Sequence, residues 1–350
     1  MSSSLVPWLA PQLRTLLTQN SPALLLQGPS GLGQWALGMA LVRAWLCDRP
    51  SPLGACGSCE SCHAIDVHSH SDLCLLVPQA LQTSLGWPVI NRIAQDGEDK
   101  ERKPSRDIRI DDLREAIEFC QRTSARGRGK AVLIYPAERM NVATANALLK
   151  TLEEPPGEPG ALRFVLASEA AHLLLPTIRS RCISHTMAWP QEVQSLAWLQ
   201  QQGLGEKDAV VSLRAAGGRP ETAWDAAQAG MTADQWAKFP LAIRQANGLA
   251  LLGCTPAQAT QRLQKLCHDL VAQRVGAPPR FFSRADLPLP PAKRHNGGGD
   301  DLAALLTWSK ALVRSARIAE HPLNAQLMLE SLAQQARLAL DSYLQDVQAD

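Results

Sequence analysis

A cluster of four cysteines is the group of side chains in this sequence that is best suited to bind a metal ion. Cys47, Cys56, Cys59 and Cys62 follow one another with eight, two and two intervening residues. Each short C-x2-C step lets two sulfurs converge on one ion from a tight turn. Four thiolates that leave no open coordination position are typical of a structural, tetrahedral zinc site. We therefore predict structural zinc, with two alternatives left open: free thiols, and an iron–sulfur cluster, whose fourth ligand and trailing proline are missing after Cys62.

Three histidines near this cluster offer substitute ligands, although four cysteines already suffice for one zinc ion: His63, His68 and His70. The chain has nine cysteines, and in a reducing compartment an odd, clustered set indicates metal ligation before disulfides. The five cysteines outside the cluster are predicted to be small core residues. They are Cys74, Cys120, Cys182, Cys254 and Cys267.

A glycine-rich segment, residues 28–35, has the spacing of a phosphate-binding loop without its chemical residues. Such loops read G-x-x-x-x-G-K-[ST], and their backbone N–H groups cradle phosphates at a helix N-terminus. Here a glutamine stands where lysine would neutralise the phosphates, and a tryptophan stands where a hydroxyl would bind Mg²⁺. We expect this degenerate loop to bind no ATP. Its positions are Gly28, Gly31, Gly33, Gln34 and Trp35.

The catalytic carboxylates of P-loop ATPases are also missing. In those enzymes an apolar strand ends in Asp-Glu, which orient Mg²⁺ and the attacking water. Here the apolar run 131–134 is followed by Tyr135 and Pro136, and Glu138 lies beyond the end of the strand. Two independent losses in one site predict a chain that does not hydrolyse ATP.

The elements that must position these groups follow from hydrophobic periodicity. Short apolar runs alternate with longer helical patterns, which predicts a mostly parallel sheet with helices on both faces. Predicted strands are 23–27, 73–77, 131–135, 162–167 and 183–187, and predicted helices between them are 34–47, 111–124 and 141–154.

Two proline- and glycine-rich stretches interrupt this regular pattern. Residues 78–107 are predicted to form a long loop or insertion, and residues 277–299 to be a mobile break. After Pro190 the strand signals stop: three short helices are predicted within 191–229, and the chain from 232 onward is helical apart from that break.

Composition limits the classes of function. The chain has 350 residues, 45% of them hydrophobic and 19% charged, which predicts two or three folded domains. A formal net charge of +2 gives no global signal for nucleic acid or membrane. No apolar run suits a membrane span, and the first residues lack the pattern of a signal peptide, so we expect a cytoplasmic protein.

Four stretches together resemble the AAA+ subunits of bacterial clamp loaders, most closely the delta-prime subunits of DNA polymerase III. They are the degenerate loop, the four-cysteine insert, the run NALLKTLEEPP at 146–156 and the run IRSRC at 178–182. The resemblance implies an α/β plus all-α chain in three parts. These are a RecA-like P-loop domain over 1–188 with a zinc insert at 47–62, a small three-helix lid over 189–231, and a C-terminal helical collar over 232–350.

The resemblance also implies a function. The chain would be a catalytically inactive accessory subunit of the polymerase III holoenzyme, in a pentameric ring with ATP-binding gamma/tau subunits and delta. That ring places the β sliding clamp on primed DNA. Arg181 matches the arginine finger that such subunits supply to a neighbour's ATP site, since a planar guanidinium meets γ-phosphate oxygens bidentately.

Other interpretations of these residues stay open. As an isolated residue, Arg181 would be expected to cap a helix or form a surface pair, and Arg179 is a weaker finger candidate. The alternative functions are a zinc-containing P-loop ATPase acting on DNA and a zinc-bearing DNA-binding module.

Two further segments bear on phosphate contacts. In 217–221 a proline, Pro220, falls where active relatives place a sensing arginine, and Arg219 would point elsewhere. A basic loop is predicted either to contact DNA phosphates or to be solvated. Its cations are Arg122, Arg126, Arg128 and Lys130.

Overall fold

The computed structural model describes residues 5–87, 104–158, 160–245, 249–289, 300–319 and 324–344. The chain divides into two compact units, Met1–Gln194 and Ser195–Asp350. The predicted domain boundaries at 188 and 231 stay predictions. Within the described ranges, no helix combines the length and apolar character needed to cross a bilayer.

The first unit contains a parallel sheet, which confirms the predicted fold class of a RecA-like P-loop domain. Its strands are β1 Ala23–Gln27, β2 Leu73–Leu76, β3 Lys130–Ile134, β4 Leu162–Ser168 and β5 Ile183–Thr186. They lie in the order β2-β3-β4-β1-β5, and every neighbouring pair is parallel. β1 is therefore flanked by the late strands β4 and β5, and the loop after β1 leaves the sheet at its carboxyl end, where α/β folds of this kind bind ligands.

Helices cover this sheet because its central strands are apolar on both sides. β1, β3 and β4 are almost wholly buried. The helices of the first unit are α1 Ala10–Leu17, α2 Gln34–Leu46, α3 Glu60–Asp66, α4 Gln79–Gln82, α5 Ile110–Gln121, α6 Val142–Glu153 and α7 Pro176–Arg179. Helix α2 packs directly on β3: a Cβ added at Gly38 would lie 2.8 Å from Cδ1 of Leu133, so this close approach requires glycine.

Helix α6 shows how the sequence sets the ends of an element. The side chain of Asn141 accepts a hydrogen bond from the Thr144 backbone N–H (2.8 Å), which caps the first turn. Pro155 and Pro156 follow the last residue, and proline cannot continue a helix. Glu153 thus becomes the final residue of α6.

Among its described residues, the second unit contains helices and no strand. Its helices are α8 Glu192–Gln201, which begins in the first unit, α9 Glu206–Ala215, α10 Pro220–Gln228, α11 Ala233–Gln245, α12 Pro256–Arg274, α13 Asp300–Ile318 and α14 Ala325–Leu344. Helix α12 begins with a capping box between Thr255 and Gln258. Helices α8, α9 and α10 correspond to the three short helices predicted within 191–229, and α11 to α14 correspond to the helical region predicted from 232 onward.

The predicted break in the helices over 277–299 is present in its described part, 277–289, but the expectation that this part is mobile is wrong. Asp269 of α12 is fully buried and accepts backbone N–H bonds from Arg280, Phe281 and Phe282 at 2.7–2.9 Å. Phe282 is 1% exposed and stacks on Trp236 with ring centroids 4.5 Å apart. A buried carboxylate and an aromatic anchor fix this segment, while residues 290–299 lie outside the described residues.

The predicted long loop or insertion over 78–107 includes a short helix in its described residues. Helix α4 occupies its beginning, and Ile108 just beyond it is 1% exposed and forms a β-bridge with Met140. Residues 88–103 lie outside the described residues. Among the five cysteines predicted for the core, Cys74 and Cys254 are only partly buried, and the other three are buried.

Candidate functional site

The four clustered cysteines converge on one point. Their sulfurs all lie within 4.8 Å of one another. Sγ of Cys47 is 3.7 Å from Sγ of Cys59 and 3.8 Å from Sγ of Cys62. A tetrahedron with Zn–S bonds of about 2.3 Å has S···S edges of about 3.8 Å, so the donor set fits a four-coordinate zinc ion.

Local backbone geometry produces this convergence. Cys47 directly follows α2, and Cys59 is the N-cap of α3, where its sulfur accepts the Cys62 backbone N–H (3.4 Å). The Cys56 backbone N–H likewise points at the sulfur of Cys47 (3.3 Å). Such N–H···S contacts orient thiolate ligands from outside the metal shell.

The electrostatics of the cluster differ between its members. Burial raises the pKa of the Cys62 thiol to about 12. The Ser58 backbone N–H lowers the pKa of Cys56 to about 6. Two of the three histidines considered as substitute ligands contact other groups: His70 Nδ1 accepts the Asp72 backbone N–H (3.1 Å), and the rings of His68 and Trp87 have centroids 4.0 Å apart and are tilted by 48°.

The glycine-rich loop is filled by its own chain. Gln34 is 2% exposed, and its Nε2 donates to the carbonyl oxygens of Gly28 (2.7 Å) and Pro29 (2.9 Å). Gly31 and Gly33 have φ values of 83° and 90°, in the left-handed region that favours glycine. The residue at the lysine position therefore closes the loop on itself and presents no charge.

The other two substituted positions contact each other. The rings of Trp35 and Tyr135 have centroids 5.6 Å apart and are tilted by 41°. Oη of Tyr135 donates to Oε1 of Glu169 (2.6 Å), and Glu138 accepts the Glu169 backbone N–H (3.0 Å). An aromatic pair thus occupies the region where a P-loop ATPase keeps its Mg²⁺ ligands.

Arg181 lies two residues beyond α7, in the segment leading to β5. Nη1 donates to the carbonyl oxygen of Thr177 (2.7 Å), and Nη2 forms an ion pair with Oε1 of Glu153. The side chains of Arg181 and Glu153 are 32% and 45% exposed. Glu153 lies in the NALLKTLEEPP run and Arg181 in the IRSRC run, and no local sequence pattern signals that these two residues form an ion pair.

Lys130, the last cation of the basic loop, is structural, whereas Arg122, Arg126 and Arg128 are exposed. Lys130 is 6% exposed, and its Nζ donates to the carbonyl oxygens of Phe119 and Arg122 at the end of α5. Buried Asp72 accepts the backbone N–H groups of Ala125 (2.8 Å) and Arg126 (2.9 Å). Lys130 is therefore neither a solvated nor a DNA-facing cation, which corrects both predictions for it.

The remaining cations of interest differ in their contacts. Arg126 Nη1 lies 3.4 Å from Oγ of Ser61, next to Cys62, and so links the basic loop to the cysteine segment. In the second unit, Pro220 is the first residue of α10, and Arg219 Nε donates to the carbonyl oxygen of Ala216 (2.8 Å). Arg219 thus caps the end of α9.

Comparisons with known proteins agree on one family. The sequence profile of the family described as DNA polymerase III, delta subunit, matches residues 9–190. DNA polymerase III subunit delta-prime of Pseudomonas aeruginosa is 38% identical over 207 residues, which cover 59% of this chain and 55% of that protein. The Escherichia coli subunit delta-prime is 32% identical over 298 residues, covering 83% of this chain and 77% of that protein. DNA polymerase III subunit tau of Salmonella typhimurium is 29% identical over 161 residues, covering 46% of this chain and 21% of that protein.

Proposed function

The chain belongs to the DNA polymerase III delta-prime family, and on that premise we propose that it is a clamp-loader subunit that does not itself hydrolyse ATP. In this role it assists, in the cytoplasm, the loading of the β sliding clamp on primed DNA. Its proposed partners are gamma/tau subunits and delta in a pentameric ring. The proposed parts of the chain are the P-loop domain over 1–188, the lid over 189–231 and the collar over 232–350.

The filled glycine-rich loop carries this proposal. A nucleotide phosphate would have to displace the Gln34 amide from two carbonyl oxygens and would gain no cation in return. Mg²⁺ would meet the Trp35 and Tyr135 rings where its ligands should stand. A chain with this loop can still take part in ATP hydrolysis at a neighbour's site.

We propose Arg181 as the arginine that this chain supplies to a neighbouring ATPase subunit. It is partly exposed, and two contacts hold its guanidinium. A permanent positive charge with a planar set of donors stabilises the γ-phosphate as phosphoryl transfer proceeds. Because the chain's own loop lacks the phosphate-binding residues, the proposed use of Arg181 is in trans.

The four cysteines are proposed to hold one structural zinc ion. The sulfur-to-sulfur distances and the N–H···S contacts support a closed tetrahedral site. The bound ion would cross-link the end of α2 to the start of α3 and supply no reactive position.

The test is reconstitution of the ring with gamma subunits whose own finger arginines are replaced, so that ATP turnover reports the site that Arg181 serves. Arg181→Ala should reduce turnover on the order of 10³-fold, with clamp loading reduced alongside it. The control is Arg179→Ala, which removes the same charge two residues away and should leave turnover unchanged.

A loss of turnover in Arg181→Ala supports the assignment only if the variant still folds and still assembles into the ring. The melting temperature of Arg181→Ala should stay near the wild-type value, since surface substitutions usually change stability by about 0.5 kcal/mol or less. A ring that assembles with Arg181→Ala and turns over ATP at the wild-type rate would refute the assignment of Arg181.

A further inference from the structure

Arg181 is oriented by a carboxylate of its own chain. Nη1 of Arg181 donates to the Thr177 carbonyl oxygen and Nη2 pairs with Glu153, so each terminal nitrogen is held by a different residue. We propose that Glu153 is a positioning residue that fixes the guanidinium of Arg181 for use on the neighbouring subunit's nucleotide. This inference rests on the proposed function, because it assigns a support to the finger.

Packing fixes the backbone at both ends of this pair. Glu153 is the last residue of α6 and follows Leu152, which is 4% exposed. Arg181 precedes Cys182, which is 9% exposed, and follows α7, whose Ile178 is fully buried. Leu152, Ile178 and Cys182 belong to one hydrophobic cluster. Because close-packed side chains resist displacement, the ion pair joins two points that cannot drift apart.

The ion pair leaves the guanidinium able to act. A guanidinium carries five N–H donors, and the contacts with Thr177 and Glu153 engage one on each terminal nitrogen. The Nε–H and the second N–H of each terminal nitrogen point along other directions of the same plane. Arg181 can therefore meet two γ-phosphate oxygens while Glu153 stays in place, so the pair need not break during the reaction.

Holding the Arg181 guanidinium in one orientation should increase the rate of ATP turnover at the neighbouring site. A free arginine loses rotamer entropy when it meets the phosphate, whereas an arginine held in place has already lost it. Immobilising one such side chain corresponds to about a two- to tenfold effect. As a partly exposed ion pair, Glu153–Arg181 should contribute little to folding. The inference therefore predicts a change in turnover that is separate from any change in stability.

The experiment is Glu153→Gln in the same reconstituted ring, with Glu154→Gln as the matched control one residue further along. Glu153→Gln should lower kcat by about two- to tenfold with the KM for ATP and the melting temperature unchanged. Glu154→Gln should behave as wild type. The double variant Glu153→Gln/Arg181→Ala should be no slower than Arg181→Ala alone, because a positioning residue has no effect once its target is gone.

The outcomes separate this inference from the proposed function. If Arg181→Ala leaves turnover unchanged, the finger assignment fails and this inference fails with it. If Arg181→Ala lowers turnover while Glu153→Gln does not, the finger stands and Glu153 only stabilises the surface. A rise in turnover with Glu153→Gln would show that the ion pair restrains Arg181, and it would overturn the inference equally.

Discussion

At the scale of single residues, the glycine-rich loop differs from a phosphate-binding loop in two ways. It lacks the lysine charge, and the side chains that replace the usual residues make contacts within the chain. Gln34 is buried and satisfies two carbonyl oxygens of its own loop. Trp35 packs against Tyr135, which in turn donates to Glu169. These contacts give Gln34, Trp35 and Tyr135 structural roles.

Gln34→Ala tests this structural role. The carbonyl oxygens of Gly28 and Pro29 would lose their donor, so the free energy of unfolding should fall by about 1–3 kcal/mol. Removing the amide should not restore ATP binding, since no lysine or Mg²⁺ ligand is gained. Chemical denaturation and equilibrium dialysis with labelled MgATP measure the two effects.

The control for this prediction is Gln27→Ala, whose amide donates at an exposed site to Thr186 (3.3 Å) and whose loss should change stability by about 0.5 kcal/mol or less. Micromolar affinity of the wild-type chain for MgATP would contradict the proposal that it binds no nucleotide. Equal stability of the two variants would contradict the structural role of Gln34.

At the scale of elements, the cysteine insert is a short segment attached to the sheet domain through α2 and α3. Its three buried cysteines, Cys47, Cys59 and Cys62, form a cluster with Ala55 that is separate from the main core of the first unit. Asp48 accepts the Ser61 hydroxyl (2.6 Å), which ties the two sides of the insert together beside the sulfurs. We expect a segment with so small an apolar cluster to depend on the proposed zinc ion for its stability.

Cys59→Ser tests the metal site. The purified wild-type chain should carry about one zinc ion, and the variant should lose it because a hydroxyl is a poor zinc ligand. Amide hydrogen exchange should accelerate in 47–62 while the amides of β1, β3 and β4 stay protected. Cys254→Ser, in the second unit, should keep the zinc. Iron in place of zinc, or fully reduced wild-type protein without metal, would contradict the proposal.

At the scale of the whole molecule, each unit has its own hydrophobic core. The first is built around the parallel sheet. The second is built from helices around Trp236, Phe282 and Tyr343, with Asp269 holding the segment 280–282 against it. The free energy of unfolding should therefore be measured separately for the two units. Ionisation of a group buried in one unit should change the stability of that unit.

The stability of the second unit should depend on pH through Glu221. Burial, with a smaller contribution from Asp225, raises the pKa of Glu221 to about 7. The folded state therefore holds this proton more tightly than the unfolded state. The stabilisation is fully present below about pH 4.5 and is lost as the pH rises through about 7. This group by itself lowers stability by at most on the order of 3 kcal/mol at pH 8.

Glu221→Gln should therefore stabilise the second unit at pH 8 and change little at pH 5. The control, Glu206→Gln, replaces an exposed acid in the first turn of α9 and should have little effect at either pH. Urea denaturation followed by tryptophan fluorescence at the two pH values provides the measurement. A stabilisation of equal size at pH 5 and pH 8 would show that ionisation of Glu221 is not its cause.

The sequence by itself determined the features that depend on neighbouring residues. The strands, α2 and α6 were predictable because apolar runs and Gly or Pro boundaries act locally, and the cysteine cluster was predictable because its ligands follow one another at short spacing. The absence of the loop lysine, replaced by Gln34, and of the strand carboxylates, replaced by Tyr135 and Pro136, was also predictable, since each belongs to a motif of fixed spacing.

Only the tertiary structure decided which distant residues meet. The order of the strands brings Trp35 to Tyr135, and the packing of α6 against α7 brings Glu153 to Arg181. The burial of Lys130 beneath the end of α5, and the hold of Asp269 on a proline-rich segment that composition marked as mobile, depend in the same way on distant contacts. Composition and periodicity describe neighbouring residues and do not predict contacts between distant ones. The free energy of a buried polar group depends on the partner that the fold brings to it, so its role could not be predicted from the sequence.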